Sequence, residues 1–198
     1  MLSRVIIFCF VFLVSFKSFA DTTTLRMANW LPPTHPWVLN IMIPWIEKVK
    51  IATEDRINIE ILNAPLGPPP AHFDFAVNGI ADITFGVHNY TAGRFPATKL
   101  AELPFLSNSS EILSVAWQRI YEKELLKLNE HKGTHLLGVF THGPGQLWLN
   151  KFYSSLESIK GLKIRIGGGI AQSSAKALGL VPLQAPVTKA YELLSGGV

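Results

Sequence analysis

From residue 25 onward the chain alternates short strand-like runs with helix-like runs, and this alternation constrains the fold more than any other feature. The run INIEIL (57–62) places isoleucine at every second position, whereas the apolar residues after Val38 follow helical spacing. Pro44 interrupts that helical face, so we expect a kink or a late helix start there. Strand–helix–strand units favour a mostly parallel sheet covered by helices. The pattern therefore predicts an α/β fold.

The middle of the chain carries the clearest helix pattern. Asn108 is expected to cap this helix, with Glu111 three residues later. Its buried face is predicted from the apolar residues at helical spacing: Ile112, Val115, Ala116, Ile120 and Leu125 to Leu128. The helix is expected to end near Gly133 and to be followed by a strand over residues 134–140.

A glycine and proline break at HGPG (142–145) is typical of a crossing from one lobe to another. We therefore place the first lobe at residues 21–143 and the second lobe at residues 144–198. The second lobe is predicted to contain a strand at 162–166, a helix from about 170 to 178 and a final amphipathic helix. These elements are too few to close a sheet and cover both of its faces. We therefore expect an incomplete second lobe, and a chain that is the front part of a longer protein.

Residues 1–20 have the pattern of a secretory signal peptide, with Arg4 near the start, an apolar block over residues 5–16 and a small-x-small end at Ala20. The block is shorter than the roughly 20 apolar residues that a membrane-spanning helix needs. We therefore expect cleavage after Ala20, export to the periplasm and no membrane insertion after cleavage.

Removal of this segment changes the charge and the cysteine content. Without Arg4 and Lys17, the 18 basic residues become 16 against 14 acidic ones, which is too even for a nucleic-acid-binding surface. Cys9, the single cysteine, is also lost, so no disulfide or thiolate–metal site is expected. The motif HKGTH (131–135) spaces two histidines like metal ligands, but it lacks the glutamate of a zinc-protease helix. We interpret it as a solvated helix end and predict neither a metal nor a cofactor.

The run GLKIRIGGG (161–169) contains the leading candidate for a binding residue. Arg165 is next to last in its predicted strand, and ligands of parallel α/β sheets bind beyond the carboxyl ends of strands. A guanidinium matches both oxygens of a carboxylate, and backbone N–H groups near Gly168 can approach the same anion. The alternative is an arginine that pairs with a nearby Asp or Glu. A nucleotide fingerprint is not supported, because Gln172 replaces its third glycine.

Aromatic residues in or beside predicted loops and strand ends can flank a ligand. These residues are Trp30, Trp37, Tyr90 and Trp148. On the pattern alone, packing is the better interpretation of each. No Ser, His and Asp arrangement can be assembled, so no catalytic residue is predicted.

Five segments occur together in a familiar order and spacing: LRMANWLPPTHP, AVNGIADITFG, FPATKLAELPFL, LESIKGLKIRI and VTKAYELLSGGV. As an ordered set they resemble the DctP-type solute-binding proteins of TRAP transporters, the tripartite ATP-independent periplasmic carriers often linked to C4-dicarboxylates. The resemblance implies a periplasmic binding protein-like fold of two α/β lobes joined by a hinge. Such a protein closes over a small organic acid and delivers it to the membrane subunits of a TRAP permease. We expect a monomer.

Within that family the arginine of the KGLKIR-type motif holds the ligand carboxylate, and the match assigns this role to Arg165. The second ligand arginine of many members has no counterpart near Gly145, so the usual dicarboxylate label is in doubt. The second half of the ligand is expected to be neutral or aromatic, with Gln146 and Trp148 nearby. His88 stands where some members place a polar pocket group. The predicted ligand-binding residues are Arg165, Gly168, Trp30, His88, Tyr90, Gln146 and Trp148.

Two alternatives to a binding protein for a small carboxylate stay open at this point. One is a periplasmic enzyme that acts on an organic acid, with Arg165 orienting the substrate and His88 or His142 as the base. The other is a truncated chain that neither folds nor binds.

Overall fold

The computed structural model describes residues 21–198, so the predicted signal peptide lies outside the described residues. The strands in this range are β1 (Thr23–Ala28), β2 (Ile57–Ile61), β3 (Ile83–Thr84), β4 (Lys163–Ile166) and β5 (Val181–Gln184). The α-helices that alternate with them are α1 (Ile43–Ala52), α2 (His72–Val77), α3 (Ser110–Ile120), α4 (Ile170–Ala177) and α5 (Ala190–Ser195). Single 3₁₀ turns at His88–Tyr90, Thr98–Glu102 and Val187–Lys189 complete the elements near the site. This order confirms the predicted α/β fold.

The first sheet has the order β2-β1-β3, and both pairings are parallel. Met27 of β1 is paired with Ile61 on one side and with Ile83 on the other, so β1 is the central strand. The alternation predicted for β2 places Ile59 in the core, 6% exposed. It packs there with Met27 and Trp30. Parallel pairing brings the carboxyl ends of all three strands to one edge, where the loops that form the site begin.

Helix α1 begins late, as Pro44 predicts. A turn of π-helix (Val38–Met42) precedes it, and Pro44 lies in the first turn of α1. Proline is tolerated there because the first backbone N–H groups of a helix have no partner within the helix. Val38 and Met42 of the π-turn are buried against the first sheet.

The prediction for helix α3 was correct in position but wrong in its cap and in most of its buried face, of which Leu125 is buried as predicted. The side chain of Ser109, not Asn108, accepts the N–H of Ile112 and caps the helix. The residues buried along α3 and its continuation are Trp117, Tyr121 and Leu125. Most of the apolar residues that were predicted to be buried are at least 46% exposed: Ile112, Val115, Ile120, Leu126 and Leu128. The buried residues repeat every fourth position, so they lie on a narrow face beside the wider apolar one.

The strand predicted over residues 134–140 is absent from the structure. The chain is irregular there, and its backbone N–H groups bond to side chains of α3 instead of a neighbouring strand. Val139 donates to Gln118 Oε1 at 2.7 Å, and Thr141 donates to Ser114 Oγ at 2.9 Å. These bonds hold Val139 in the core beside α3, with 6% of its surface exposed.

The second sheet consists of β4 and β5, which are parallel, with Arg165 opposite Leu183. Its core contains Ile159, Ile166, Ala175 and Leu180. The two sheets lie on either side of the predicted boundary at residue 143, which stays a prediction. Within residues 21–198, no helix combines the length and the apolar character that a bilayer span requires.

Candidate functional site

Arg165 lies near the carboxyl end of β4, as its place in the sequence predicts. Its Nε donates to the carbonyl oxygen of Ala185 at 2.7 Å, and Nη2 donates to the Tyr90 hydroxyl at 3.3 Å. Within residues 21–198, Arg165 forms no ion pair with an acidic side chain. The alternative of an internal Asp or Glu partner is therefore not seen in this range. The guanidinium is half-buried and held by neutral oxygens alone, so its charge stays available to an anion.

Tyr90 links the first lobe to the second. Its hydroxyl oxygen accepts from Arg165 and also from the backbone N–H of Val187, at 2.9 Å. Its ring packs on Trp30 with the ring centroids 6.1 Å apart, and the Trp30 indole donates to the carbonyl oxygen of Phe85 at 3.0 Å. Since the oxygen accepts two bonds, the phenolic proton remains free to donate to a group beside Arg165.

Gly168 and Gly169 allow the first lobe to approach the second closely. Both have positive φ angles, of 114° and 61°. A Cβ atom on Gly168 would lie 2.6 Å from the carbonyl oxygen of Asn89, and one on Gly169 would collide with the carboxylate of Glu102. The glycine run is therefore required by the contact between the lobes as well as by the backbone conformation.

Glu102 occupies the amino end of helix α4. Its Oε2 accepts the backbone N–H of Ile170 at 3.1 Å, although Glu102 belongs to the first lobe. Burial raises the pKa of this carboxyl, while the bonds from Ile170 and from the Asn89 side chain act in the opposite direction. Helix amino ends favour anions, and here the anion is a side chain of the protein. The sequence offered no local signal for this role of Glu102.

His88 lies in a chain of hydrogen bonds that sequence reasoning missed. His88 Nε2 is 2.8 Å from His131 Nε2, and His131 Nδ1 is 2.8 Å from the Tyr121 hydroxyl. Burial, followed by the charge of His131, lowers the pKa of His88 to about 4, and burial also lowers the pKa of His131. The interpretation of HKGTH as a solvated helix end is wrong for His131, which is 7% exposed. The spacing of His131 and His135 does not indicate that His131 bonds to His88.

A cavity of about 90 Å³ lies between the lobes on the side of the 88–90 turn. Polar residues from both lobes line it: His88, Asn89 and Lys99 from the first, and Gly169, Gln172 and Gln184 from the second. Gln184 also donates to the carbonyl oxygen of Asn89 at 3.0 Å, which closes one wall. The space is large enough for a few water molecules or one polar group of a ligand.

A family model described as bacterial extracellular solute-binding protein, family 7, matches residues 27–198. The chain belongs to this family. Its members are solute-binding proteins, so the resemblance drawn from the ordered motifs is confirmed.

Solved and curated relatives agree with this family. A TRAP periplasmic solute-binding protein from Bordetella bronchiseptica, with bound (R)-mandelate and (S)-mandelate, is 43% identical with a TM-score of 0.84, covering 88% of this chain and 56% of that one. A TRAP solute-binding protein from Rhodoferax ferrireducens T118, in complex with copurified benzoate, is 30% identical with a TM-score of 0.80, covering 89% of this chain and 55% of that one. The outer membrane transporter protein TsaT of Comamonas testosteroni is 28% identical, covering 89% of this chain and 53% of that protein.

The fold is therefore periplasmic binding protein-like. The chain spans slightly more than half the length of these relatives.

The remaining predicted site residues are Gln146 and Trp148, and within residues 21–198 neither is a hydrogen-bond partner of Arg165. Gln146 and Trp148 belong to the irregular segment after Val139, and Trp148 is 80% exposed. Their role as ligand contacts stays a prediction. A second, more open cleft of about 340 Å³ lies against this segment, with Trp37, Phe140 and Ser114 in its walls.

An aromatic cluster connects that cleft with the centre of the first lobe. Phe85 stacks on Trp30 at 5.3 Å, and Trp37 meets both Phe85 and Phe140 at 5.3 Å and 5.5 Å. Trp30 is 7% exposed and belongs to the core, whereas half of the Phe140 side chain is exposed. The sequence pointed to Trp30 and Trp37 but not to Phe85 or Phe140, which lie in segments read as strands.

Proposed function

We propose that this chain binds a small organic acid as part of an extracytoplasmic solute-binding protein. The protein would release the acid, chemically unchanged, to a TRAP-type permease for uptake. The observation that supports this most is Arg165, a half-buried guanidinium between the lobes whose hydrogen-bond partners are neutral oxygens. A fixed cation in a site from which water is largely excluded binds a carboxylate through charge-assisted hydrogen bonds.

The ligand is proposed to be an aromatic monocarboxylate rather than a dicarboxylate. The segment 142–150 contains no arginine, so a second carboxylate has no cationic partner there. Tyr90 bonds to Arg165, and its ring packs on Trp30, which in turn stacks on Phe85, so an aromatic cluster begins beside the guanidinium. The mandelate and benzoate bound by the two solved relatives share one feature, a single carboxylate in a molecule with one aromatic ring.

Closure of the lobes would then depend on the ligand. Tyr90 and Glu102 of the first lobe already contact the second lobe, and an acid held by Arg165 adds contacts that exist only in the closed form. The permease would recognise that closed form. Export to the periplasm would follow from the signal sequence predicted in residues 1–20.

Calorimetric titration of the protein with benzoate, (R)-mandelate and succinate tests this proposal. We expect the two aromatic acids to bind and succinate to bind more weakly. A hydrogen bond to a charged group contributes about 1.5–3 kcal/mol, so Arg165→Ala is expected to raise Kd at least about tenfold.

Arg119→Ala is the matched control, because Arg119 is an exposed arginine on α3. It should bind as the wild type does. Failure of every acid to bind, or equal affinity of Arg165→Ala and the wild type, would refute the proposal. The acid recovered after incubation is then analysed by mass spectrometry. An unchanged acid argues against the alternative that the protein is an enzyme.

A further inference from the structure

The chain formed by Tyr121, His131 and His88 has a defined direction of proton donation. Tyr121 is 3% exposed and His131 is 7% exposed, so each polar group in the chain must be paired within the protein. Within residues 21–198, the only hydrogen-bond partner of the Tyr121 hydroxyl is His131 Nδ1, at 2.8 Å. If the hydroxyl accepted, its own proton would be buried without an acceptor, which is costly. Tyr121 therefore donates to His131.

This donation fixes the proton on each imidazole. A neutral imidazole has one N–H donor and one bare nitrogen. Burial lowers the pKa of both histidines, so both are neutral near pH 7. His131 accepts at Nδ1 and so carries its proton on Nε2, which donates across 2.8 Å to His88 Nε2. His88 Nε2 is then the acceptor, and the proton of His88 lies on Nδ1.

The charges around this chain leave that order intact. The carboxylate of Glu130 is close enough to affect His131 and Tyr121, but it accepts the backbone N–H groups of Ala97 and Thr98. Lys99 lines the cavity beside His88 and is a cation, so it does not compete as an acceptor. No acidic group within residues 21–198 bonds to either histidine ring.

We propose that Tyr121 and His131 are positioning residues that hold His88 as an Nδ1–H donor at the interlobe cavity, where it meets an acceptor oxygen of the bound acid. Arg165 is not among the residues that line this cavity, so the His88 contact is separate from the contact with Arg165. His88 lines that cavity, and its Nδ1 has no hydrogen-bond partner within residues 21–198. Within residues 21–198, the buried side-chain nitrogens and oxygens without a partner belong to His72, so the unpartnered His88 Nδ1 keeps some accessible surface. This inference rests on the proposed function for the identity of the ligand.

The first experiment reads the tautomers in the ligand-free protein and is independent of acid binding. Nuclear magnetic resonance of ¹⁵N-labelled histidine separates protonated from bare ring nitrogens. We expect His88 to be protonated on Nδ1 and His131 on Nε2. In Tyr121→Phe, His131 is free to reverse, and the Nδ1–H form of His88 should become mixed. A His88 ring that carries its proton on Nε2 in the wild type overturns the inference.

The second experiment links the tautomer to affinity. Loss of one neutral hydrogen bond raises Kd about twofold to tenfold, and Tyr121→Phe is expected to do so for benzoate or (R)-mandelate. The same change in a His88→Ala background should have no further effect, because Tyr121 acts through His88. Tyr191→Phe, at an 85% exposed tyrosine, is the matched control and should change neither readout.

These outcomes also separate this inference from the proposed function. If Arg165→Ala leaves binding intact, the proposed function fails while the tautomer measurement still stands. If Arg165→Ala weakens binding but Tyr121→Phe costs the same affinity with and without His88, the positioning role is refuted. Addition of saturating benzoate without any shift of the His88 Nδ1 signal refutes the ligand contact.

Discussion

Arg165 precedes the glycine run 167–169 in the sequence and Glu102 packs against Gly169, yet the two charged groups have different kinds of hydrogen-bond partner. Glu102 is bound to the backbone N–H of Ile170 at the amino end of α4. Arg165 has only the carbonyl oxygen of Ala185 and the hydroxyl of Tyr90 as partners. The carboxylate of Glu102 therefore has a hydrogen-bond donor within the protein, whereas the guanidinium of Arg165 has only neutral acceptors, which is consistent with the proposed role in binding an acid.

The structure assigns Arg165 and the amino end of α4 to different contacts, although the sequence predicted one shared site. The glycine run and Arg165 together predicted a single anion site, made of a guanidinium and the N–H groups of a helix start. In the structure Glu102 fills the helix start, and Arg165 forms no ion pair within residues 21–198. The helix end therefore belongs to the contact between the lobes, and Gly168 and Gly169 stabilise that contact.

The largest effect on stability is expected from Gly169→Ala, which disrupts the contact between Glu102 and the amino end of α4. The new Cβ would collide with the Glu102 carboxylate, and the backbone has φ 61° and ψ −138°, a conformation that alanine rarely adopts. Backbone strain of this kind costs about 1–3 kcal/mol, to which the loss of the helix cap adds. We expect the free energy of unfolding in urea to fall by at least about 2 kcal/mol.

Gly143→Ala provides the control for that measurement. Gly143 lacks a positive φ angle, and a Cβ there would have no neighbour within 4 Å. We expect its unfolding curve to stay within about 0.5 kcal/mol of the wild type, as for ordinary surface changes. If both variants unfold alike, the close approach at Gly169 is not a stabilising contact.

The elements and the arginine were predictable because their signals are local. Alternating isoleucines gave β2, Pro44 gave the late start of α1, and Arg165 followed from its place in a strand before glycines. Glu102 and His131 were not predictable, because each acquires its role from a partner more than 40 residues away in the sequence. No periodicity encodes such a pairing.

The buried face of α3 shows a different limit of sequence reasoning. Apolar periodicity identified a wide stripe, and Trp117 is in the core as an aromatic on a helical apolar face is expected to be, but Tyr121 on the margin of the stripe is buried as well. The side chain of Tyr121 reaches the core from that margin, and its hydroxyl is satisfied there by His131. Apolar periodicity alone does not predict that a tyrosine is buried while a nearby isoleucine is exposed.

A smaller effect is expected from Glu102→Gln, with a size that depends on pH. The pKa of Glu102 is raised in the folded state, so the folded protein binds its proton more tightly than the unfolded chain does. Its contribution to stability is present below the unfolded value of about 4.5 and is lost as pH rises through the folded pKa. At pH 7, the free energy of unfolding of Glu102→Gln should therefore equal that of the wild type or exceed it by up to about 1 kcal/mol.

Urea unfolding at pH 4 and pH 7 checks this sign, and the advantage of Glu102→Gln should shrink at the lower pH. Glu111→Gln, at an exposed glutamate in the first turn of α3, is the matched control. A Glu102→Gln variant that is clearly less stable than the wild type at pH 7 would show that the charged cap outweighs the cost of burial.

The smallest effect is expected at His72, whose pH dependence has the opposite sign and must be separated from that of Glu102. His72 is fully buried, and burial lowers its pKa, so the unfolded chain binds its proton more readily than the folded protein. Its contribution is present above about 6.5 and is lost as pH falls below that value. His72→Phe keeps an aromatic ring beside Phe75 but cannot titrate. We expect this variant to lose less stability than the wild type between pH 7 and pH 5, within about 1 kcal/mol. Equal losses in both proteins would show that His72 does not contribute to acid sensitivity, and the remaining slope would then have to come from other groups.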